Sequence, residues 1–490
     1  ARGTQSLSAE GMIVQFDESV FMTSDIRGTY PEQLNEDFAF VLGRGLARVL
    51  GAKRVTLARD GRASSPTLYA ATAAGLMQEG AEVRTLDLAA LELLYHVMGE
   101  AGDGELGVMV TASHNPAEFN GFKIVAPGAL LLGERSAVAA LPRWMKGASP
   151  PRRAHWEVPE KTVAVEDEYI DLALRVAGTP EARGLKVVVD PGSGVGGLLW
   201  GRLAEATGIE PIRMNFEPDG RFPDHLPDPS KLENLTALRE RVLSEGADLG
   251  LAYDGDADRV AAVLRNGHIL DGSEVIVAMV ERLLGGRGGG FAVNMMIRRG
   301  ALEHFRERGI EPLMVPVGHA KIRRIMQGDP SLGFAGEQSG HYFYREFFCC
   351  ESSLITTLHI LHMAAEGRLE ALAEGLPGPW VEPERWVGFP FERKDRAAEV
   401  CRAVALAGLE MFPEPREIMC EIDWKVVRHC GPEDIERSDG VRVDYADYWF
   451  CVRPSCTEPL ARLWVEARSR ADQQAKEAAL ASHFRGRLQR

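Results

Sequence analysis

The hexapeptide Asp254-Gly255-Asp256-Ala257-Asp258-Arg259 sets three carboxylates at alternate positions, directly after a hydrophobic run. Carboxylates spaced this way can converge on one hard divalent cation, and oxygen-only ligation favours Mg²⁺ over zinc. A calcium EF-hand loop needs glycine where Arg259 stands and an acid where Arg265 stands, so that reading fails. A guanidinium at Arg259 would face the anion that the metal also binds; taken alone, the same residues also suit a solvated acidic turn.

Three further segments offer chemistry. Thr111-Ala112-Ser113-His114-Asn115-Pro116 ends a buried strand, where α/β sheets present their ligand sites. Ser113 needs a partner before it can act as a nucleophile, and His114 is adjacent only in sequence. Lys123 is close enough in the chain to return to the same mouth, where a lysine of lowered pKa serves as general base. Gly336-Glu337-Gln338-Ser339-Gly340-His341 combines an acceptor, a hydroxyl and an imidazole between glycines, a set suited to sugar hydroxyls or to an ordinary turn. Arg453-Pro454-Ser455-Cys456-Thr457-Glu458-Pro459 holds a guanidinium and two hydroxyls between stiffening prolines, which fits a phosphate or a plain strand connection. Gly192-Ser193-Gly194-Val195-Gly196-Gly197 matches the dinucleotide fingerprint, but Ile212-Arg213-Met214 stands where the ribose-binding acid belongs. A tight strand-to-helix turn is the better reading.

The elements that must position these loops alternate. Asn35 caps a helix with Phe38, Val41, Leu42, Leu46 and Val49 on one face, and Gly51 stops it. A strand at Val55–Ala58, a helix at Thr67–Gln78 and a strand at Leu106–Val110 complete a βαβ pattern, and Pro142–Pro159 reads as a linker. The pattern restarts at Leu185–Asp190 and again near Glu274, with a long helical stretch at Leu354–Leu372. Prolines at 377, 379 and 383 then mark a boundary, beyond which the tail reads as α+β with an antiparallel sheet.

At 490 residues the chain has room for two to four domains, and its 45% hydrophobic and 26% charged composition is that of a soluble globular protein. A net charge of −15 repels polyanions and anionic lipid, which argues against nucleic acid and membrane surfaces as partners. No apolar run reaches a bilayer-spanning length and no signal segment is evident, so a cytoplasmic location is expected. The seven cysteines form no Cys-x-x-Cys pair and read as reduced, buried thiols.

Taken together the four loops resemble the α-D-phosphohexomutase superfamily, most closely its phosphomannomutase/phosphoglucomutase branch. They occur in family order, and Ser24-Asp25-Ile26-Arg27-Gly28, Arg59-Asp60-Gly61-Arg62, Pro218-Asp219-Gly220-Arg221-Phe222-Pro223 and Asp439-Gly440-Val441-Arg442-Val443 are also family-like. The resemblance implies an α/β, heart-shaped, four-domain protein: three α/β domains with mixed sheets and a smaller C-terminal α+β domain around a central cleft. Their bounds are 1–158, bearing a phosphoserine; 159–270, binding metal; 271–380, binding sugar; and 381–490, binding phosphate. It implies interconversion of hexose 1-phosphate and 6-phosphate, of mannose and/or glucose, through phosphorylated Ser113 and a hexose 1,6-bisphosphate that acts as intermediate and activator. Mg²⁺ would sit on Asp254, Asp256, Asp258 and the phosphoserine at Ser113. Arg27, His114, Lys123 as general base, Arg259 and His341 would serve catalysis, and His319, Glu337, Ser339, Arg453, Ser455, Cys456 and Thr457 would bind substrate. A phosphosugar is the expected partner of a monomer or weak dimer. Other readings are a phosphoglucosamine mutase, suggested by Gln338, a non-catalytic binder of sugar bisphosphates, and a phosphatase. Ser24, Met295 and Cys456 replace an aromatic residue, a lysine and an asparagine common in the branch.

Overall fold

The helix Glu36–Val49 forms as its sequence dictates: the Asn35 side chain accepts from the Phe38 amide at 3.0 Å, and Phe38, Val41, Leu42 and Leu46 are buried. Together with the helix Ser65–Gln78 it covers a sheet whose inward residues are Val55, Leu57, Val108, Val110 and Phe122, so one apolar core carries the first α/β region. The computed structural model describes residues 15–133, 135–149, 151, 156–285, 289–378, 380–381, 387–391, 394–455 and 460–488.

These residues divide into two compact units. The first comprises residues up to Arg175 with Val188–Asp228 and Ala252–Asp258; the second comprises Val176–Val187, Pro229–Leu251 and Arg259 onward. In the first, strands β1 (Ile26–Thr29), β2 (Arg54–Arg59), β3 (Glu82–Leu88), β4 (Glu105–Val110), β5 (Phe119–Ala126) and β6 (Leu130–Leu132) form one sheet in the order β1-β5-β4-β2-β3, with β6 on β5. Pairs β2–β3 and β2–β4 are parallel, whereas β4–β5 and β1–β5 are antiparallel, so the sheet is mixed. Strands β7 (Val187–Asp190) and β8 (Ile212–Arg213) add a parallel pair. The chain then runs through β9 (Leu249–Tyr253).

In the second unit β10 (Val260–Leu264) and β11 (Ile269–Leu270) pair antiparallel. A mixed sheet follows, built from β12 (Gly290–Asn294), β13 (Leu313–Val315), β14 (Leu332–Gly336), β15 (Tyr342–Tyr344) and β16 (Cys350–Glu351) in the order β13-β12-β14-β15-β16. The last sheet is wholly antiparallel, with β17 (Val387–Pro390), β18 (Glu417–Ile422), β19 (Lys425–Arg428), β20 (Gly440–Asp444), β21 (Tyr448–Pro454) and β22 (Leu460–Ala467) in the order β17-β22-β21-β20-β18-β19. Three α/β regions with mixed strand directions and a C-terminal antiparallel region are thus present. Arg442 on β20 ties the last two together, donating to the Met295 and Ile297 carbonyls at 2.8 and 2.6 Å with its guanidinium 3.7 Å from the Trp449 ring centre.

Two expectations need correction. Within the expected linker, Leu141–Met145 is helical, because Leu141, Trp144 and Met145 share a face that packs on the first core. The single stretch Leu354–Leu372 is two helices, Ser353–Ala365 and Arg368–Gly375, broken where Gly367 takes φ +65°. Among the described residues no helix is long and apolar enough to cross a membrane.

Candidate active site

Strand β4 delivers Thr111 and Ser113 just past its C-terminal end. Ser113 has φ +51°, a left-handed conformation that side chains disfavour, and its amide donates to Thr111 Oγ1 at 2.8 Å. This turn aims Ser113 Oγ at Asp254 Oδ2, 2.8 Å away, with His114 Nδ1 at 3.2 Å. Beyond β9 the Asp254 loop closes on itself, the Asp258 amide donating to Asp254 Oδ1 at 3.0 Å. Gly255 is required at the crossing of the two loops, since a Cβ there would lie 2.3 Å from the Ser113 carbonyl oxygen. The glycine-rich segment after β7 packs beneath it: the Val195 amide donates to the Gly255 carbonyl at 3.2 Å. Those glycines serve close packing, as expected of a tight turn.

The three carboxylates, all buried, offer oxygens within 4.8 Å of one another. Lys123 on β5, paired in register with Met109 on β4, donates to Asp256 Oδ2 at 2.8 Å and Asp258 Oδ2 at 2.7 Å. Lys123 thus meets two of the three carboxylates, while Asp254 faces the Ser113 hydroxyl. Asp256 Oδ1 is buried with no hydrogen-bond partner among the described residues. That oxygen and the convergence of the three carboxylates fit a divalent ion held by Asp254, Asp256 and Asp258. Arg27 flanks the serine loop, donating to Asn115 Oδ1 at 2.8 Å and pairing with Asp25 at 2.5 Å.

Lys123 is thus placed at the mouth where a general base is expected. Burial lowers the pKa of its ammonium, whereas Asp256 and Asp258, with no cation between them, raise it above the ordinary lysine value.

In the second unit Glu337 opens the turn after β14. Its Oε1 accepts from Asn294 Nδ2 at 3.0 Å and the Gly318 amide at 2.9 Å, and Oε2 lies 3.1 Å from His341 Nδ1. Burial pushes the Glu337 carboxyl up, yet these donors, His341 foremost, bring it down to about 2. Ser339 Oγ stands 3.0 Å from His341 Nδ1, Arg259 Nε donates to His341 Nε2 at 3.0 Å, and the His319 and His341 rings are 5.5 Å apart. His319 also lies 3.4 Å from Glu351. The five candidates Arg259, His319, Glu337, Ser339 and His341 therefore form one connected group. Arg453 and Ser455 are buried at the end of β21, where Gly440 makes room for the Arg453 side chain. Cys456 and Thr457 lie outside the described residues.

Residues 18–139, 167–267 and 271–378 match alpha/beta/alpha domains I, II and III of phosphoglucomutase/phosphomannomutase, and residues 394–482 match its C-terminal domain. The chain belongs to the phosphoglucomutase/phosphomannomutase family. A phosphomannomutase/phosphoglucomutase of Pseudomonas putida is 33% identical over 93% of each chain. A phosphomannomutase of Salmonella typhimurium is 30% identical over 91% of this chain and 94% of its own. The crystal structure of a phosphoglucomutase/phosphomannomutase family protein from Burkholderia thailandensis superposes with a TM-score of 0.74 at 28% identity, covering 97% of this chain and 98% of that one.

Within this phosphoglucomutase/phosphomannomutase family member, some residues that shape the site escaped the sequence reading. Thr111 orients Ser113 and donates to Asp256 at 3.3 Å, while Asn115 holds Arg27 and Asn294 holds Glu337. Thr111 and Asn115 stood inside a recognised motif and were legible by position. Asn294 was legible only as the last residue of a strand.

Proposed function

We propose that the chain interconverts α-D-hexose 1-phosphates and 6-phosphates, of mannose and/or glucose, through a phosphoserine at Ser113 and a hexose 1,6-bisphosphate. The observation that carries this reading is Ser113 Oγ bonded to Asp254 beside two more carboxylates and Lys123, in a chain matching all four family domains. In one half-reaction the phosphoserine P–O bond breaks, a P–O bond to the free sugar hydroxyl forms, and the hydroxyl proton ends on Ser113 Oγ. In the other, the bisphosphate presents its second phosphoryl group to Ser113 and the proton returns to the sugar oxygen.

We assign proton carriage to His114 and Lys123; the 3.2 Å approach of His114 to Ser113 Oγ supports the first. Asp254, Asp256 and Asp258 hold Mg²⁺, which supplies charge neutralisation to the phosphoryl oxygens when bound. Arg27 and Arg259 are assigned to the same charge. Glu337, Ser339, His319 and His341 recognise the sugar, and Arg453, Ser455, Cys456 and Thr457 the phosphate that is not in transfer. The enzyme is read as cytoplasmic and as monomeric or weakly dimeric, and its net charge of −15 disfavours nucleic acid and membrane surfaces. A coupled assay on mannose, glucose and glucosamine 1-phosphates with hexose 1,6-bisphosphate tests the reading. Formation of the 6-phosphate isomer is expected; release of inorganic phosphate without isomer would make the protein a phosphatase, and neither product would leave a binding protein.

A further inference from the structure

We infer that Arg62, to which nothing above gives a role, is a positioning residue that fixes the reactivity of Ser113 by gripping the backbone behind it. The inference rests on the proposed phosphoserine chemistry. Arg62 follows β2, and its side chain is 0% exposed. Nη2 donates to the carbonyls of Ser113 at 2.8 Å and Asn115 at 2.6 Å, and Nη1 to those of Pro116 at 2.6 Å and Phe119 at 2.9 Å. Nε donates to Asp60 Oδ2 at 3.1 Å, so all five N–H donors of the guanidinium are used. Four carbonyls of one short loop converge on a single planar group.

The loop needs such a grip. Ser113 sits in the left-handed region without being glycine, and such residues persist only where the surroundings over-determine them. Its amide is held by Thr111 Oγ1 and its carbonyl by Arg62, and these two bonds together fix the direction of Oγ toward Asp254. Arg62 is itself braced. Asp60 Oδ1 accepts from the Arg62 amide at 3.0 Å, and the Phe222 ring lies 5.0 Å from its guanidinium. A Cβ at Gly220 would come within 2.3 Å of the Ala63 nitrogen, so the Asp219–Phe222 turn can press onto Arg62 only because that residue is glycine. A lysine in place of Arg62 would bring one point charge with three donors, unable to span four carbonyls.

The test is single-turnover transfer from phosphorylated Ser113 to glucose 1-phosphate, followed in wild type, Arg62→Lys and Phe222→Leu with melting temperatures in parallel. In Arg62→Lys the transfer rate constant should fall about 100-fold, the scale of a misplacement near 1 Å. The Kd for glucose 6-phosphate should stay within about twofold, since Arg62 bonds to none of the residues assigned to recognition. Phe222→Leu keeps every N–H donor but loses the ring, and should slow transfer about fivefold. A purely structural role would lower the amplitude and the melting temperature while leaving the rate constant of the folded enzyme unchanged. Wild-type rate constants in Arg62→Lys overturn the inference, and if that variant does not fold, a wild-type rate constant in Phe222→Leu does so alone. Wild-type enzyme that forms neither phosphoserine nor isomer refutes the mutase reading itself, and the Arg62 role falls with it.

Discussion

The loops around Ser113 and Glu337 both gather buried polar groups, but they settle their electrostatics in opposite ways. Around Ser113 one ammonium bridges Asp256 and Asp258, and Asp256 Oδ1 has no donor among the described residues. Both oxygens of Glu337 already meet a donor, and its carboxyl is held at about 2. Under the proposed function the first site takes up a cation, and a buried oxygen without a donor is held ready to meet it. Under the same proposal the second site reads hydroxyls, a task that gains from acceptors already fixed in direction.

The largest test of this contrast is Ser113→Ala. Turnover should drop by at least about 10⁴-fold, as for loss of a covalent nucleophile, with the melting temperature unchanged. Intact-mass measurement after incubation with hexose 1,6-bisphosphate should show a phosphoryl group on wild type and none on the variant. Full mutase activity in Ser113→Ala would end the comparison, because the charged loop would then not be where transfer occurs.

Next in size is the carboxylate cluster. Asp256→Asn should lower kcat about 10²- to 10³-fold with little change in KM, since the lost charge counts most in the transition state. EDTA should abolish turnover and Mg²⁺ restore it; undiminished turnover in excess chelator would show that the cluster works without a metal.

Arg453→Ala should weaken every sugar phosphate roughly 10- to 100-fold, the loss of a charge-assisted hydrogen bond worth about 1.5–3 kcal/mol. Glu337→Ala should instead change the ratio of kcat/KM among glucose, mannose and glucosamine 1-phosphates by a smaller factor, about 10-fold or less. Equal losses on all three sugars for Glu337→Ala would mean that Glu337 only orients His341 and the Gly318 amide.

The smallest effect lies below the charged loop. His225 Nε2 is 3.0 Å from Asp190 Oδ2, and that bond raises the imidazole pKa against the opposing effect of burial. A raised folded pKa stabilises below the unfolded value of 6.5 and loses that contribution as pH climbs through the folded value. Wild type should therefore lose stability relative to His225→Asn as pH rises from 6 to 8 in urea melts. A pH-independent difference would remove the charge from this pair.

The four loops were legible because each packs its chemistry into a few consecutive residues at the end of an apolar run. Asp254, Asp256 and Asp258 suggest a cation by their alternation and Ser113 a ligand site by its place after a buried strand, readings that became specific only with the four loops in family order. Lys123 was legible as a neighbour of that mouth, but its ion pairs were not, since its partner Asp258 lies 135 residues away. Arg62 was legible only as part of a family-like stretch. Its acceptors are backbone carbonyls 51 to 57 residues distant, and carbonyls carry no sequence signature. The helix Leu141–Met145 was hidden by the prolines and charges around it, although its three large apolar residues stood at helical spacing.

The hydrogen bond from Ser113 to Asp254 spans 141 residues. At ribosomal speeds of about 5–20 residues per second, Ser113 leaves the exit tunnel roughly 7 to 28 seconds before its carboxylate partner does. Through that interval the loop holding Ser113 can already be shaped, because Arg62 and Thr111 precede it in the chain. A newborn chain thus carries a pre-formed but unarmed serine.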